Sequence, residues 1–273
     1  MFKAGTLWRD RLYVCTQTEI LVYRLPSFER VGYVSLPSFN DVHHVRPTAE
    51  GTMLIANTGL DMVMEIAHDG RMLRQWHALG GDPSVRASRS TDYRKLPTTK
   101  PHLSHPNYVF QLGLDVWVTR FEQQDAICLT DRTRRIAIAA GKPHDGIVHG
   151  SRIYFTTVNG HVVVAEAGTG HVVRTINLNV ALPRSISLGW CRGLLVLDEH
   201  RFLVAFSRLR PTKFIQNIQW AQYQLGIRKD RGHMPTRIAL FDEDKGMFLW
   251  EQNLEEAGMS VVFSIHSGGE PDG

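Results

Sequence analysis

The stretch Arg11-Leu-Tyr-Val-Cys-Thr16 opens on a charged residue, runs through four mostly apolar ones and closes on a small polar one. The same pattern returns as Thr52-Met-Leu-Ile-Ala-Asn57, Asp115-Val-Trp-Val-Thr-Arg120, Arg152-Ile-Tyr-Phe-Thr-Thr157 and Arg201-Phe-Leu-Val-Ala-Phe206. Short runs rich in β-branched and aromatic residues, bounded by turn formers, read as strands. A second strand is expected after each copy, at Glu19–Tyr23, Met62–Ile66, Asp125–Leu129, His161–Glu166 and Arg237–Phe241. A third is expected at Arg30–Leu36, Met72–His77, Arg134–Ala139, Val172–Leu178 and Met247–Gln252. Copies two to five are each preceded by a further strand, at Asp41–Arg46, Tyr108–Leu112, Gly146–His149 and Gly193–Leu197.

The unit is thus a four-stranded antiparallel meander present five times. Repeats of about 40 to 50 residues with four strands each are the sequence pattern of propeller blades. A lone blade exposes both faces, so blades must stack around an axis and close into a ring. The expected fold is an all-β, five-bladed β-propeller formed by residues 1–273 as a single domain, with a β-sandwich as the alternative. The first blade has only a weak inner strand, Phe2–Trp8, whereas Ser260–His266 is a strand without a partner. That terminal segment is expected to supply the innermost strand of the first blade and tie the chain ends together.

Two insertions interrupt the repeat, at about 79–104 and 208–235. Both are basic, and both are expected as lids over one end of the ring. In the second, apolar residues Phe214, Ile215, Ile218, Ala221 and Leu225 fall at helical spacing.

Hydrophobic residues make up 43% of the chain, ample for a large core. The longest apolar runs fall far short of the roughly 20 residues a membrane span needs, and the N-terminus lacks a signal-peptide pattern. Cys15, Cys128 and Cys191 lie in or beside apolar stretches without metal-site spacing and read as reduced core thiols. The expected location is the cytoplasm. A net charge of +4, without interleaved stacking aromatics, argues against nucleic acid as partner.

Three segments, Phe39-Asn-Asp-Val-His-His-Val45, Ser207-Arg-Leu-Arg210 and Val262-Phe-Ser-Ile-His266, resemble an uncharacterised family of bacterial propeller proteins. The resemblance implies the fold and carries no activity with it.

Polar residues gather where the inner strands begin. Blade two has Asn40-Asp41-Val42-His43-His44, blade three His105-Pro106-Asn107, blade four His144-Asp145-Gly146 and blade five Trp190-Cys191-Arg192; the chain closes on Ser264-Ile265-His266. Inner strands of a propeller run the same way along the channel, so these positions form a ring at one mouth. Side chains alternate along a strand, which leaves open whether His43 or His44 faces the channel. Neutral imidazoles from His43 or His44, His105, His144 and His266 would suit a divalent transition metal such as iron, zinc, copper or manganese. Asp41, Asp145 and Asn107 would orient the ligands, and Arg192 would contact substrate. A metal-free variant uses one histidine as general base, with Arg192 steadying an anionic intermediate.

His102, in the first insertion, is within reach of the same mouth, and His149 is open to either reading. His68, His77, His161, His171, His200 and His233 are expected to face solvent. The leading expectation is an oxidoreductase, lyase or hydrolase acting on a small anionic substrate at the mouth. Its rival is a non-catalytic propeller that binds an acidic partner or glycan through its basic loops. No phosphate-binding loop, nucleophile elbow or HExxH is present. Asn57-Thr-Gly-Leu-Asp61 reads as a plain turn.

Overall fold

A computed structural model describes residues 1–85, 87–88, 90–183, 186–209 and 234–268. Five four-stranded antiparallel sheets form, each from strands consecutive in sequence. The first holds β1 (Thr6–Trp8), β2 (Arg11–Cys15), β3 (Ile20–Arg24) and β4 (Glu29–Val34). The second holds β5 (Val42–Pro47), β6 (Thr52–Asn57), β7 (Met62–Ala67) and β8 (Met72–His77). The third holds β9 (Pro106–Leu112), β10 (Asp115–Arg120), β11 (Asp125–Cys128) and β12 (Arg135–Ala137). The fourth runs through β13 (Ile147–His149), β14 (Arg152–Thr157), β15 (His161–Glu166) and β16 (Val172–Asn177). The fifth comprises β17 (Trp190–Val196), β18 (Arg201–Ser207), β19 (Arg237–Asp242) and β20 (Met247–Asn253). The recurring pattern is therefore the second strand of every blade, as its spacing implied.

In blades two, three and four these second strands are buried on both faces, which is why they read as continuous apolar runs rather than alternating ones. Outer strands such as β8 and β20 are largely exposed and carry the charged residues. Adjacent blades meet through apolar clusters. Blades one and two share Tyr13, Ile20, Val42, Ile55 and Met62; blades two and three share Leu54, Val63, Val109 and Val118. Phe110 and Trp117 meet Phe155 between blades three and four, and Tyr154 and Val162 meet Phe202 and Val204 between four and five.

The seam between blades five and one is built differently, and here the expected closure is corrected. The terminal segment adds no strand to the first blade. The inner edge of β2 is already taken by β1, in the register Thr6↔Tyr13 and Trp8↔Arg11. Lys3 N–H continues the ladder to the Cys15 carbonyl at 2.8 Å, so no edge is left for a second chain. Residues 259–267 instead lie as an extended strap in the seam. Val262 N–H donates to Ser207 Oγ (3.1 Å), Thr236 Oγ1 donates to the Ser260 carbonyl (3.0 Å), and Gly5 N–H reaches Ser264 Oγ (3.4 Å).

The first insertion crosses the end of the ring at which the inner strands begin. Asn40 Nδ2 donates to the carbonyls of Tyr93 (2.8 Å) and Leu96 (2.9 Å), and Thr99 Oγ1 donates to that of Gly59 (2.5 Å). In the second insertion, the helical pattern at 214–225 lies outside the described residues. Three surface expectations are corrected. His77 is buried, its Nδ1 accepting from Leu79 N–H (3.2 Å), and His161 and His200 are partly buried. His233 lies outside the described residues. No helix among the described residues is long and apolar enough to cross a membrane.

Candidate functional site

Each blade brings one nitrogen-bearing side chain to the mouth: Lys3, His43, His105, His144 and Arg192. The phase of β5 decides between the two neighbouring histidines. His43 faces the mouth, with its ring 4.9 Å from that of His105 in an edge-to-face contact. His44 points between blades, stacked 3.6 Å over Tyr108. Its Nδ1 accepts from Val109 N–H (3.2 Å), so its Nε2 donates to Thr6 Oγ1 (3.2 Å), which in turn donates to the Val45 carbonyl (2.8 Å). Both ring nitrogens are spent, and His44 serves to join blades one, two and three.

The three mouth histidines share one tautomer. His43 Nδ1–H donates to the Asp41 carbonyl (2.8 Å). His144 Nδ1–H donates to Asp145 Oδ1 (3.0 Å). His105 and His102 join Nδ1 to Nδ1 at 3.0 Å. Thr99 Oγ1 spends its proton on a carbonyl, so it accepts from His102 Nε2–H (3.4 Å); His102 Nδ1 is then the acceptor and His105 Nδ1 the donor. Each mouth histidine is left with Nε2 unprotonated.

Burial keeps them neutral. It holds His43 well below its usual value, helped by the charge of Lys3 and the neighbouring His105. His105 falls to about 3, chiefly through burial and then through His102. His144 is lowered by burial, against the opposing pull of Asp145 and with the charges of Arg192 and Lys3 adding to the shift.

Asp145 is fixed on all sides. Besides His144, its carboxylate accepts from Thr156 Oγ1 (2.5 Å) and Gly193 N–H (2.9 Å). Gly193 adopts φ 76°, and a Cβ there would press on the Ser264 backbone at 3.3 Å; glycine permits both the turn and the approach of the strap. His144 Nε2 is buried without a hydrogen-bond partner, as is Asn107 Oδ1, whose amide donates to the Pro143 carbonyl (3.0 Å). Phe263, from the strap, lies 5.9 Å from the His144 ring, and the Arg192 guanidinium sits over the rings of Trp190 (4.6 Å) and Phe263 (5.1 Å).

Asp41 and His105 both hold left-handed backbone, at φ 51° and 54°, a conformation that costs a non-glycine residue roughly 1–2 kcal/mol. Asp61 supports the second of these: its carboxylate, fully buried, accepts from the N–H groups of Leu103 (2.9 Å), Ser104 (2.9 Å) and His105 (2.8 Å). The turn Asn57–Asp61 thus positions a mouth histidine, a role its sequence did not announce.

His266 does not join His43 and His105. It bonds Ser264 Oγ (3.2 Å) and lines the channel farther in. His149 is exposed away from this mouth. Lys3, which pairs with Asp41, had gone unremarked in the sequence, as had Thr156 and Phe263. Among the described residues, no three histidine, cysteine, aspartate or glutamate side chains stand close enough to hold one ion.

The fold and this mouth define a five-bladed β-propeller with a histidine-lined opening. No family model and no curated protein matches the chain. Solved propeller structures do. Virginiamycin B lyase from Staphylococcus aureus superposes with a TM-score of 0.54 at 12% identity, over 92% of this chain and 69% of that one. A streptogramin B lyase gives 0.55 at 14% identity, over 92% and 68%. A catalytically inactive histidine-to-alanine variant of the staphylococcal enzyme, with quinupristin, gives 0.53 at 12% identity, over 92% and 69%. At such identities the likeness establishes the fold.

Proposed function

We propose that the protein is an enzyme that transfers a proton to or from a small anionic molecule at this mouth, with His144 as general base. The observation that carries this reading is the orphaned Nε2 of His144, buried and unpartnered while Nδ1 is locked to Asp145. A base in this state needs no reorganisation before it takes a proton, and its neutral form is kept by burial. Asp145 then stabilises the imidazolium that forms, as an orienting carboxylate does in other histidine-based sites. Lys3 and Arg192 supply the positive field for an anionic substrate or intermediate. The solved neighbours are named as lyases, and one inactive variant lacks a histidine; both facts agree with the reading without carrying it.

The test is turnover by the wild-type protein and His144→Ala against a panel of small carboxylate- and phosphate-bearing esters, lactones and β-substituted acids, followed by mass spectrometry. Depletion of at least one compound, reduced 100-fold or more in the variant (the scale expected of a positioned base), is the expected result. Equal turnover by both proteins, or none above buffer, would sink the proposal.

A further inference from the structure

Deeper along the inner strands than the mouth, the channel holds a cavity of about 220 Å³. Every blade contributes to its wall, with Thr6, Arg46, Tyr108, Asp145 and Gly193, and the strap adds Ser264 and His266. Arg46 is the anomaly. It is partly buried, it forms no ion pair among the described residues, and its Nε is buried with no hydrogen-bond acceptor. Among the described residues, the only carboxylate on the wall is that of Asp145, already committed to His144, Thr156 and Gly193. A buried N–H without an acceptor is costly, and an anion in the cavity would satisfy it.

We propose that this cavity binds a small oxyanion, a phosphate or carboxylate group, through the Arg46 guanidinium, with Tyr108, Ser264 and His266 on its wall. Arg46 has the planar fork that such groups take bidentately. Tyr108 is held rigid by its stack on His44, and burial pushes its phenol up, so that it stays a neutral hydroxyl donor. His144 is not on this wall, although its partner Asp145 is. The site stands whether or not His144 does chemistry.

The experiment is calorimetric titration of the whole protein with inorganic phosphate and, separately, with succinate, for wild type and Arg46→Gln. Saturable one-to-one binding of at least one anion to wild type is expected, weakened tenfold or more by Arg46→Gln. The two titrations tell phosphate from carboxylate. A thermal melt without anion checks that Arg46→Gln is folded; since Arg46 forms no ion pair among the described residues, it is expected to melt no lower than wild type. Absence of saturable binding to wild type, or undiminished binding to a folded Arg46→Gln, would each overturn the proposal. Failure of the turnover test above leaves this one intact.

Discussion

Lowering the pH from 7 to 5 is expected to remove much of the protein's stability, because the histidines that build the mouth and its inner wall are buried neutral. His43 and His44 are held well below the ordinary 6.5, and His105 lies near 3. At pH 5 His105 is still unprotonated when folded, whereas in the unfolded chain each of the three has bound its proton; burial shifts His43 and His44 in the same direction. Protonation therefore favours the unfolded state: the contribution of these groups is present above 6.5 and declines as pH falls through that value. Linkage gives roughly 2 kcal/mol lost for His105 between pH 7 and 5, and His43 and His44 add to it. Domains of this kind are stable by only about 5–15 kcal/mol in total, so the loss is a large part of the whole. The assay is urea denaturation at half-unit pH steps from 7.5 to 5. His43→Gln and His105→Gln should each flatten the dependence by close to one proton, about 1.4 kcal/mol per pH unit. Midpoints that stay level from pH 7 to 5, or a slope indifferent to His43 and His105, would show that these side chains are not buried neutral and refute the reasoning.

Two further outcomes are expected. Asp125 is fully buried and takes both Arg120, in a two-pronged pair at 2.8 and 2.6 Å, and Arg135 at 2.5 Å; Asp125→Ala strands the buried Arg120 guanidinium, while the exposed Arg135 turns to water, and should cost about 3 kcal/mol in urea unfolding. Protein purified without an affinity tag should contain far less than one equivalent of iron, zinc, copper or manganese by elemental analysis, and a stoichiometric amount would show that the mouth histidines rearrange around an ion.

The strand pattern was legible because it is local. Apolar runs such as Asp115–Arg120 and Arg152–Thr157 report strands buried on both faces, and their spacing reports the blade. That inner-strand starts share one mouth also followed from the repeat, and it brought His43, His105, His144 and Arg192 into view before any coordinates. The terminal Ser260–His266 run looked equally like a strand. Its sequence carries no record that Thr6–Trp8 had already taken the edge it would need.

The choice of His43 over His44 is of the same kind: two identical side chains are assigned to opposite faces by the phase of β5, which depends on what packs behind it. Lys3, Asp61 and Phe263 reach the mouth from positions 38 or more residues away from the groups they touch. Thus the sequence by itself determined the blade repeat and the ring in which the histidines fall, since each rests on periodicity within a few residues. Tertiary structure alone decided how the ring closes, which imidazole is spent on structure, which keeps a free lone pair, and that Arg46 faces a cavity unpaired. Those outcomes depend on hydrogen bonds and burial supplied by other blades, and periodicity within one strand contains no information about them.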